Sequence, residues 1–369
     1  MKIEIQGLSI VIPNYNSSRY LAQLLESYQR FSSKKYVIDM IVVDDSNPEE
    51  AQKSKELCKE YNAKYLWCKG NVAKKRNFGV KNSTFPIVFF TDSDCILDEN
   101  TIGEHMRLYQ TDSEIGAMYG VVEFYGPINW VWKVVERTGF LGAYSFARRM
   151  PYAPWAGAGN LSVKREVFEQ INGFDETFLK APGGEDVDLG VRINKAGYKI
   201  QCNPDAIVYH TRDTWNSYRR MHRRVFGYGR AHYHVIKNHP DSVGKEYPRI
   251  AVAFLIVDLL LILKALVLKD VTPLFLILLF PLIVMIAQAI MVLTLNKLSL
   301  TKVIKEVAAH WLDMTFEWGI TFEALKYKDV KGLWKKMIYA EKQLVYERDR
   351  KIIQAWSIFI GMVVILIFS

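Results

Sequence analysis

Two aspartates one residue apart, Asp92 and Asp94, follow the apolar run Ile87–Phe90 in Thr91-Asp92-Ser93-Asp94. Paired carboxylates on a tight turn suit a hard cation such as Mg2+ or Mn2+, which completes its shell with water and substrate phosphate. Asp44-Asp45-Ser46 follows a second apolar run, and Pro13-Asn14-Tyr15-Asn16 follows a third. A further acidic pair, Glu185-Asp186, comes after Gly183-Gly184 and before the helical stretch Val187–Lys195. Carboxylates there also stabilise a first helical turn. No G-x-G-x-x-G follows the first apolar run, and G-x-x-x-x-G-K-[ST] is absent from the chain. A dinucleotide enzyme and a P-loop NTPase are thereby disfavoured. Phosphate in this chain calls for cations instead.

These polar clusters need elements to hold them. The first 95 residues alternate between strand and helix. Strands are expected at Leu8–Ile12, Asp39–Val43, Lys64–Trp67 and Ile87–Phe90, and helices at Arg19–Phe31, Glu49–Tyr61 and Val72–Asn82. Apolar strands alternating with helices predict a parallel sheet covered on both faces. Ligands of such sheets lie beyond the carboxyl ends of the strands. The three clusters therefore share one rim.

The chain has 369 residues, 50% hydrophobic and 24% charged, which is enough for two domains and excludes a disordered protein. The apolar residues are unevenly spread. Ile250–Leu268, Val271–Leu295 and Ile352–Phe368 are long enough to span a bilayer as helices, and only Lys269-Asp270 separates the first two. Val303–Leu325 is too polar to span and is expected to be an interfacial or re-entrant helix. Asn129–Phe146 is aromatic and basic, which fits a membrane surface or a packed helix. The boundary between a soluble part, 1–248, and a membrane part, 249–369, follows from this division.

The net charge is +9, and twelve Lys and Arg residues fall between Asn296 and Lys351. The positive-inside rule puts that segment, and with it the N-terminal part, in the cytosol of a multi-pass protein of the cell membrane. Cys58, Cys68, Cys95 and Cys202 are scattered, as in a reducing compartment, and Met1–Gln6 has no apolar signal stretch. Basic residues flank the membrane runs, so anionic headgroups or phosphates are expected partners. No nucleic-acid motif is present.

The set Ile12-Pro13-Asn14-Tyr15-Asn16, Val43-Asp44-Asp45-Ser46, Lys75-Arg76-Asn77-Phe78-Gly79, Thr91-Asp92-Ser93-Asp94, Asn172–Phe178 and Gly184–Leu189 occurs in that order. It resembles the family 2 glycosyltransferases of GT-A fold over residues 7–235. The resemblance implies an α/β, Rossmann-like domain with a mostly parallel sheet, followed here by a helical transmembrane domain. It implies a nucleotide pocket of Pro13, Asn14, Tyr15 and Asn16, with Asp45 or Asp44 on the base, Lys75 and Arg76 near the diphosphate, and Asp92 and Ser93 beside it. Asp92, Asp94 and His210 would hold Mn2+ or Mg2+. Trp155, Gly157, Gly159 and Asn160 would shape a donor-sugar or acceptor pocket, with Arg220 and Arg223 as further candidates. Asp186 would be the catalytic base, with Glu185 beside it.

Glycosyl transfer needs the leaving diphosphate neutralised and the acceptor oxygen activated. One base opposite the leaving group gives inversion. A uridine diphosphate sugar is favoured over a guanosine one as donor, and a lipid or lipid-linked acceptor fits the apolar helices. Two alternatives stay open. A processive polysaccharide synthase carries Gln-x-x-Arg-Trp; here Arg220-Met221-His222-Arg223-Arg224 supplies only Arg223. A non-enzymatic nucleotide-sugar sensor would not need the base. Homo-oligomerisation also stays open. Gly227 and Gly229 are expected to make a bend or a gating loop.

Overall fold

A computed structural model describes residues 7–31, 36–109, 114–178, 183–245, 249–296, 299–338 and 345–368. Met1–Gln6, Lys297 and Lys342, part of the expected signal-free start and basic run, lie outside them. The chain forms two compact units, Met1–Pro127 with Leu141–Thr214, and Ile128–Phe140 with Trp215–Ser369.

In chain order the elements are β1 (Gly7–Asn14), α1 (Ser18–Phe31), β2 (Val37–Asp44), α2 (Pro48–Glu60), β3 (Lys64–Trp67), α3 (Val72–Lys81), β4 (Ile87–Phe90), β5 (Cys95–Leu97), α4 (Thr101–Tyr109) and β6 (Ile115–Tyr125). A short helix α5 (Trp130–Val135) belongs to the second unit. The first unit then resumes with a 3-10 stretch, Gly139–Arg148, which begins just before the return point, and continues with β7 (Leu161–Lys164), α6 (Arg165–Gln170), α7 (Glu185–Lys195) and β8 (Lys199–Thr211).

The sheet order is β3-β2-β1-β4-β7-β6-β8-β5. Strands β3, β2, β1 and β4 are mutually parallel, and β6 is parallel to β8. The remaining pairs are antiparallel. This is the mostly parallel sheet of the GT-A fold. Its two cores follow from strand alternation. Ile87 and Phe89 of β4 join Leu8, Ile10 and Leu24 on one face, whereas Val88 and Phe90 join Val11, Phe168 and Phe174 on the other. A strand buried on both faces shows as an unbroken apolar run, which is why β4 was legible without periodicity.

Register carries the functional consequence. Asn14, Asp44 and Trp67 form one row at the carboxyl end of β1, β2 and β3. Val11 pairs with Phe90, so Thr91–Asp94 emerges on the same rim.

The second unit holds α5, α8 (Tyr218–Asn238), α9 (Ile250–Leu268), α10 (Thr272–Asn296), α11 (Leu300–Lys326), α12 (Val345–Phe368) and a small ladder of β9 (Val243–Lys245) with β10 (Lys335–Met337). Two helices, α9 and α10, are long and apolar enough to cross a membrane. Leu259, Leu266 and Val267 of α9 and Phe275, Leu278 and Leu282 of α10 are each more than half exposed. So large an apolar surface is unstable in water and suited to lipid. In α12 the apolar part described is shorter, Ile352–Ile365. Left-handed Lys269 and Asp270, which accepts from Thr272 N at 2.9 Å, close the hairpin between α9 and α10.

Helix α11 is a single 27-residue helix. Its Val303 and Val307 share a cluster with Val292 near the end of α10. Its Glu317 accepts from Ile250 N at 2.7 Å at the start of α9, supplying the cap that an apolar helix start lacks. Thus α11 touches the two ends that a hairpin leaves on one side.

Gly227 and Gly229 form no loop. They lie inside the continuous helix α8, where a Cβ on Gly229 would stand 2.0 Å from Phe316 O of α11. A Cβ on Gly319 of α11 would stand 2.2 Å from Phe226 O. The absent side chains let two backbones touch. Gly229→Ala is expected to cost about 1–3 kcal/mol, the usual range for overpacking. Gly103→Ala is the control, because a Cβ at Gly103 in α4 meets nothing within 4 Å. Thermal unfolding in detergent should show Gly229→Ala melting several degrees lower and Gly103→Ala not lower. Equal melting would remove the close-contact account.

Candidate active site

The rim is built from short loops locked by the residues around them. Asn14 is buried and donates to Asp44 Oδ1 at 3.1 Å and to Ser54 Oγ at 3.0 Å. Asp44 is buried too. Its Oδ1 also accepts from Ser46 N at 3.1 Å and from the Ser46 hydroxyl, and its Oδ2 accepts from Tyr65 OH at 2.9 Å. Both Asp44 oxygens are therefore spent on the fold. Asp45 is the carboxylate that borders the rim. It accepts from Lys75 Nζ at 2.7 Å and from Gly70 N at 3.3 Å. Lys75 Nζ also donates to Asn14 O at 2.8 Å and lies 5.7 Å from the centroid of the exposed Tyr15 ring. Asn16, in the left-handed region, receives the Asn47 N–H on its side chain and donates its own N–H to Ser46 Oγ at 2.7 Å.

Helix α3 carries Lys75 and Arg76 under the rim. A Cβ on its Gly79 would stand 2.3 Å from Val11 of β1, so only glycine lets the helix approach this closely. Asn77 donates to Phe174 O and accepts from Phe174 N, both at 2.9 Å, and so joins the Lys75–Gly79 motif to the Asn172–Phe178 motif. Buried Arg76 then divides its guanidinium between Asp92 Oδ1 and Glu185 Oε1, each at 2.9 Å. Glu185 Oε2 accepts from Gly183 N at 2.9 Å. Glu185 is a positioning group, held on both oxygens.

Antiparallel pairing of β5 with β8 sets Cys95 opposite His210. His210 Nδ1 lies 2.9 Å from Thr211 O, a pure acceptor, so Nδ1 carries a proton and Nε2 is the ring nitrogen turned to Asp94. Nε2 faces Asp94 Oδ1 at 3.3 Å. Two acceptors at that distance need a proton or a cation between them. Oxygen and imidazole ligands fit Mn2+ well and Mg2+ less well. Asp94, Cys95 and His210 form the one such group of potential ligands among the described residues. Burial, with Asp94 and Asp92 nearby, pushes the Cys95 thiol well above its ordinary value, so it stays protonated and is a poor ligand. Asp92 stands apart from this group and is engaged by Arg76. Ser93 is buried in the turn between the two aspartates.

Asp186 is the unspent acid. Its Oδ1 accepts from Val187 N at 2.8 Å, and no donor reaches Oδ2 among the described residues. Burial, then the Glu185 charge, pushes its carboxyl up to about 7, against the pull of Arg76. A Cβ on Gly157 would lie 3.9 Å from Asp186 Oδ2, and a Cβ on Gly159 would lie 3.3 Å from Asp92 Oδ2. One glycine-rich strip thus faces both carboxylates. Trp155 packs beside that strip against Gly190 of α7 and edge-on to Phe146 at 5.7 Å.

The strip is anchored by a network that sequence reasoning missed. Asn160 donates to Val121 O at 2.8 Å and Ala206 O at 2.9 Å, and its Oδ1 meets His105 Nε2 at 2.8 Å. His105 Nδ1 meets Ser162 Oγ at 2.7 Å. Burial pushes His105 down to about 4, so the ring is neutral at pH 7. Nothing in the sequence around His105 marks it, because its partners are more than fifty residues away. The Asn160 side chain holds the strip and does not line it. Arg220 and Arg223 are exposed on α8, in the second unit.

Residues 9–171 match the family model "Glycosyl transferase family 2", and residues 137–214 match "N-terminal domain of galactosyltransferase". The chain carries a family 2 glycosyltransferase domain. Its relatives agree. A probable glycosyltransferase, YdaM of Bacillus subtilis, is 23% identical over 60% of this chain and 54% of its own length. A dolichyl N-acetyl-alpha-D-glucosaminyl phosphate 3-beta-D-2,3-diacetamido-2,3-dideoxy-beta-D-glucuronosyltransferase of Methanococcus voltae is 23% identical over 61% of this chain and 72% of its own. The chain spans only about half the length of the first relative. Among solved structures, the mannosyltransferase PcManGT of Pyrobaculum calidifontis, in complex with GDP-Man and Mn2+, is 15% identical over 97% of this chain and 86% of its own, at a TM-score of 0.48. Within the glycosyltransferase domain, the glycine strip and the two carboxylates occupy the rim where ligands of parallel sheets bind.

Proposed function

We propose that this protein is an inverting, divalent-metal-dependent glycosyltransferase. It moves a sugar from a nucleoside diphosphate donor to a lipid-linked acceptor at the cytosolic membrane face. The observation that carries the reading is the strip Gly157–Gly159, with Asp92 at one end and Asp186 at the other. A donor sugar on that strip has the diphosphate side and the base side assigned.

Asp45, Tyr15 and the backbone of Pro13–Asn16 hold the nucleoside, and Lys75 fixes Asp45. Asp94 and His210 hold Mn2+ or Mg2+, which when bound neutralises charge on the departing diphosphate. Arg76 orients Asp92 and Glu185. Asp186 Oδ2 takes the acceptor proton as the acceptor oxygen bonds to the anomeric carbon and the bond to the diphosphate breaks on the opposite face. One displacement inverts the configuration. The apolar helices α9 and α10 cross the membrane, α12 completes a third crossing, and α11 lies at the cytosolic interface. This topology supports an acceptor in the lipid, as the dolichyl acceptor in the name of the Methanococcus relative also does. Arg220 and Arg223 are available on α8 for anionic groups.

Nucleoside diphosphate release by the full chain in nanodiscs tests the reading. UDP-sugars come first and GDP-sugars second, with Mn2+ or Mg2+ and with or without polyprenyl phosphate or glycolipid acceptors. Metal-dependent release that rises with acceptor is expected. A growing polymer would instead favour a processive synthase, and binding without turnover would favour a sensor.

A further inference from the structure

We propose that Tyr144 is a platform for a sugar ring of the acceptor, so that the acceptor offers a saccharide hydroxyl and not a bare phosphate. The inference rests on the glycosyltransferase reading and narrows its acceptor.

Three groups from distant parts of the sequence converge above Gly157. A Cβ there would lie 3.6 Å from Tyr119 OH, 3.9 Å from Asp186 Oδ2 and 4.0 Å from Tyr144 Cε1. Glycine keeps that point open. Tyr144 comes from the 3-10 stretch Gly139–Arg148, and its position is fixed. Its ring stands edge-on to Phe124 at 5.3 Å, and Phe124 in turn packs on His210 at 5.5 Å. Tyr119 OH donates to Ala143 O at 3.1 Å, which anchors the residue before Tyr144. The aromatic ring is therefore held next to the base, within the same unit. A half-buried ring beside a carboxylate suits a pyranose, whose C–H face packs on the ring while its hydroxyls reach the acid.

Charge argues the same way. A phosphate acceptor needs cations at the reacting oxygen, yet the two cations beside these carboxylates in the first unit are engaged, Lys75 with Asp45 and Arg76 with Asp92 and Glu185. Asp92, Glu185 and Asp186 make the neighbourhood acidic. A phosphate oxygen is ionised already and needs no base, whereas a sugar hydroxyl must lose its proton as it attacks. In the step proposed, the hydroxyl proton passes to Asp186 Oδ2, the new C–O bond forms, and nucleoside diphosphate leaves with the electron pair of the broken bond.

The experiment uses the full chain in nanodiscs with Mn2+, a panel of UDP- and GDP-sugars, and two acceptor probes, alkyl glycosides and polyprenyl phosphate. Alkyl glycosides should accelerate nucleotide release. Tyr144→Ala should raise the acceptor KM about tenfold, the scale of one aromatic contact, without raising the donor KM. Tyr144→Phe, which keeps the ring, should restore the acceptor KM. Acceleration by polyprenyl phosphate alone, or by no glycoside, overturns the proposal. So does a rise in donor KM in Tyr144→Ala, or a Tyr144→Phe variant as impaired as Tyr144→Ala. No release from any donor by wild type, water as acceptor included, would remove the glycosyltransfer reading itself.

Discussion

Asp186→Asn is expected to lower kcat by about 10²–10⁴-fold, the range that a positioned general base supplies. The donor KM should change little, because Asp186 faces Gly157 at the other end of the glycine strip from Asp92. Asparagine keeps the size and can still accept the Val187 N–H, so the fold stays intact. Two properties of the carboxyl separate this result from simple damage. Burial and the neighbouring Glu185 charge raise Asp186 to about 7. The base must be ionised to act, so wild-type kcat/KM should climb as pH rises through about 7 and then level off. Asp186→Asn should lose that acidic limb along with the rate.

Stability moves the other way. An aspartate in an unfolded chain titrates near 3.9, so between about 4 and 7 the folded protein binds a proton that the unfolded chain has released. The contribution of Asp186 to stability is fully present below the unfolded value and is lost as pH rises through the folded one. Asp186→Asn should therefore melt no lower than wild type at pH 8, and higher if burial of the charge is uncompensated. A variant that is inactive and melts far lower at pH 8 would refute the assignment of Asp186 as a strained, functional acid.

The shared rim was legible in the sequence. The β1–β4 half could be read because its strands are short, apolar and bounded by polar clusters, and one parallel register carries Asn14, Asp44 and Asp92 to a common rim. The division of labour among those residues was not legible. Asp44 and Asp45 are adjacent and chemically alike, and only the hydrogen bonds to Asn14, Ser46 and Tyr65 show that Asp44 is consumed internally. Asn160 likewise looked like a pocket residue, yet its amide serves Val121, Ala206 and His105. Tyr144 carries no local signal, because its meaning comes from Gly157 and Asp186 across the fold. Gly229 misled for another reason. A glycine on either side of Tyr228 looks like flexibility in sequence, whereas in the helix pair Gly229 marks rigid contact with α11. Local pattern captures elements and their ends. Which oxygen is left over is a property of the whole hydrogen-bond network.

Asp94→Asn is expected to abolish tight metal binding. Changes in outer-shell partners alone cost about 10–100-fold in metal affinity, and loss of a charged ligand should exceed that. The readout need not be catalysis. An ion bound to the folded state at 100 times its Kd stabilises by about 2.7 kcal/mol, so saturating Mn2+ should raise the wild-type Tm by several degrees. Asp94→Asn and His210→Gln should show little rise at the same concentration, and titration of the Mn2+ paramagnetic signal should give matching affinities. His210 adds a check on geometry. Its Nδ1 proton is committed to Thr211 O, so Nε2 is the only atom it can offer to an ion. Cys95→Ser should leave the rise in place, since a thiol held protonated by burial contributes no charge to the ion. If Cys95→Ser abolished the Mn2+ response and Asp94→Asn preserved it, the ion would belong to a thiolate site and the assignment of an oxygen-and-imidazole centre would fall.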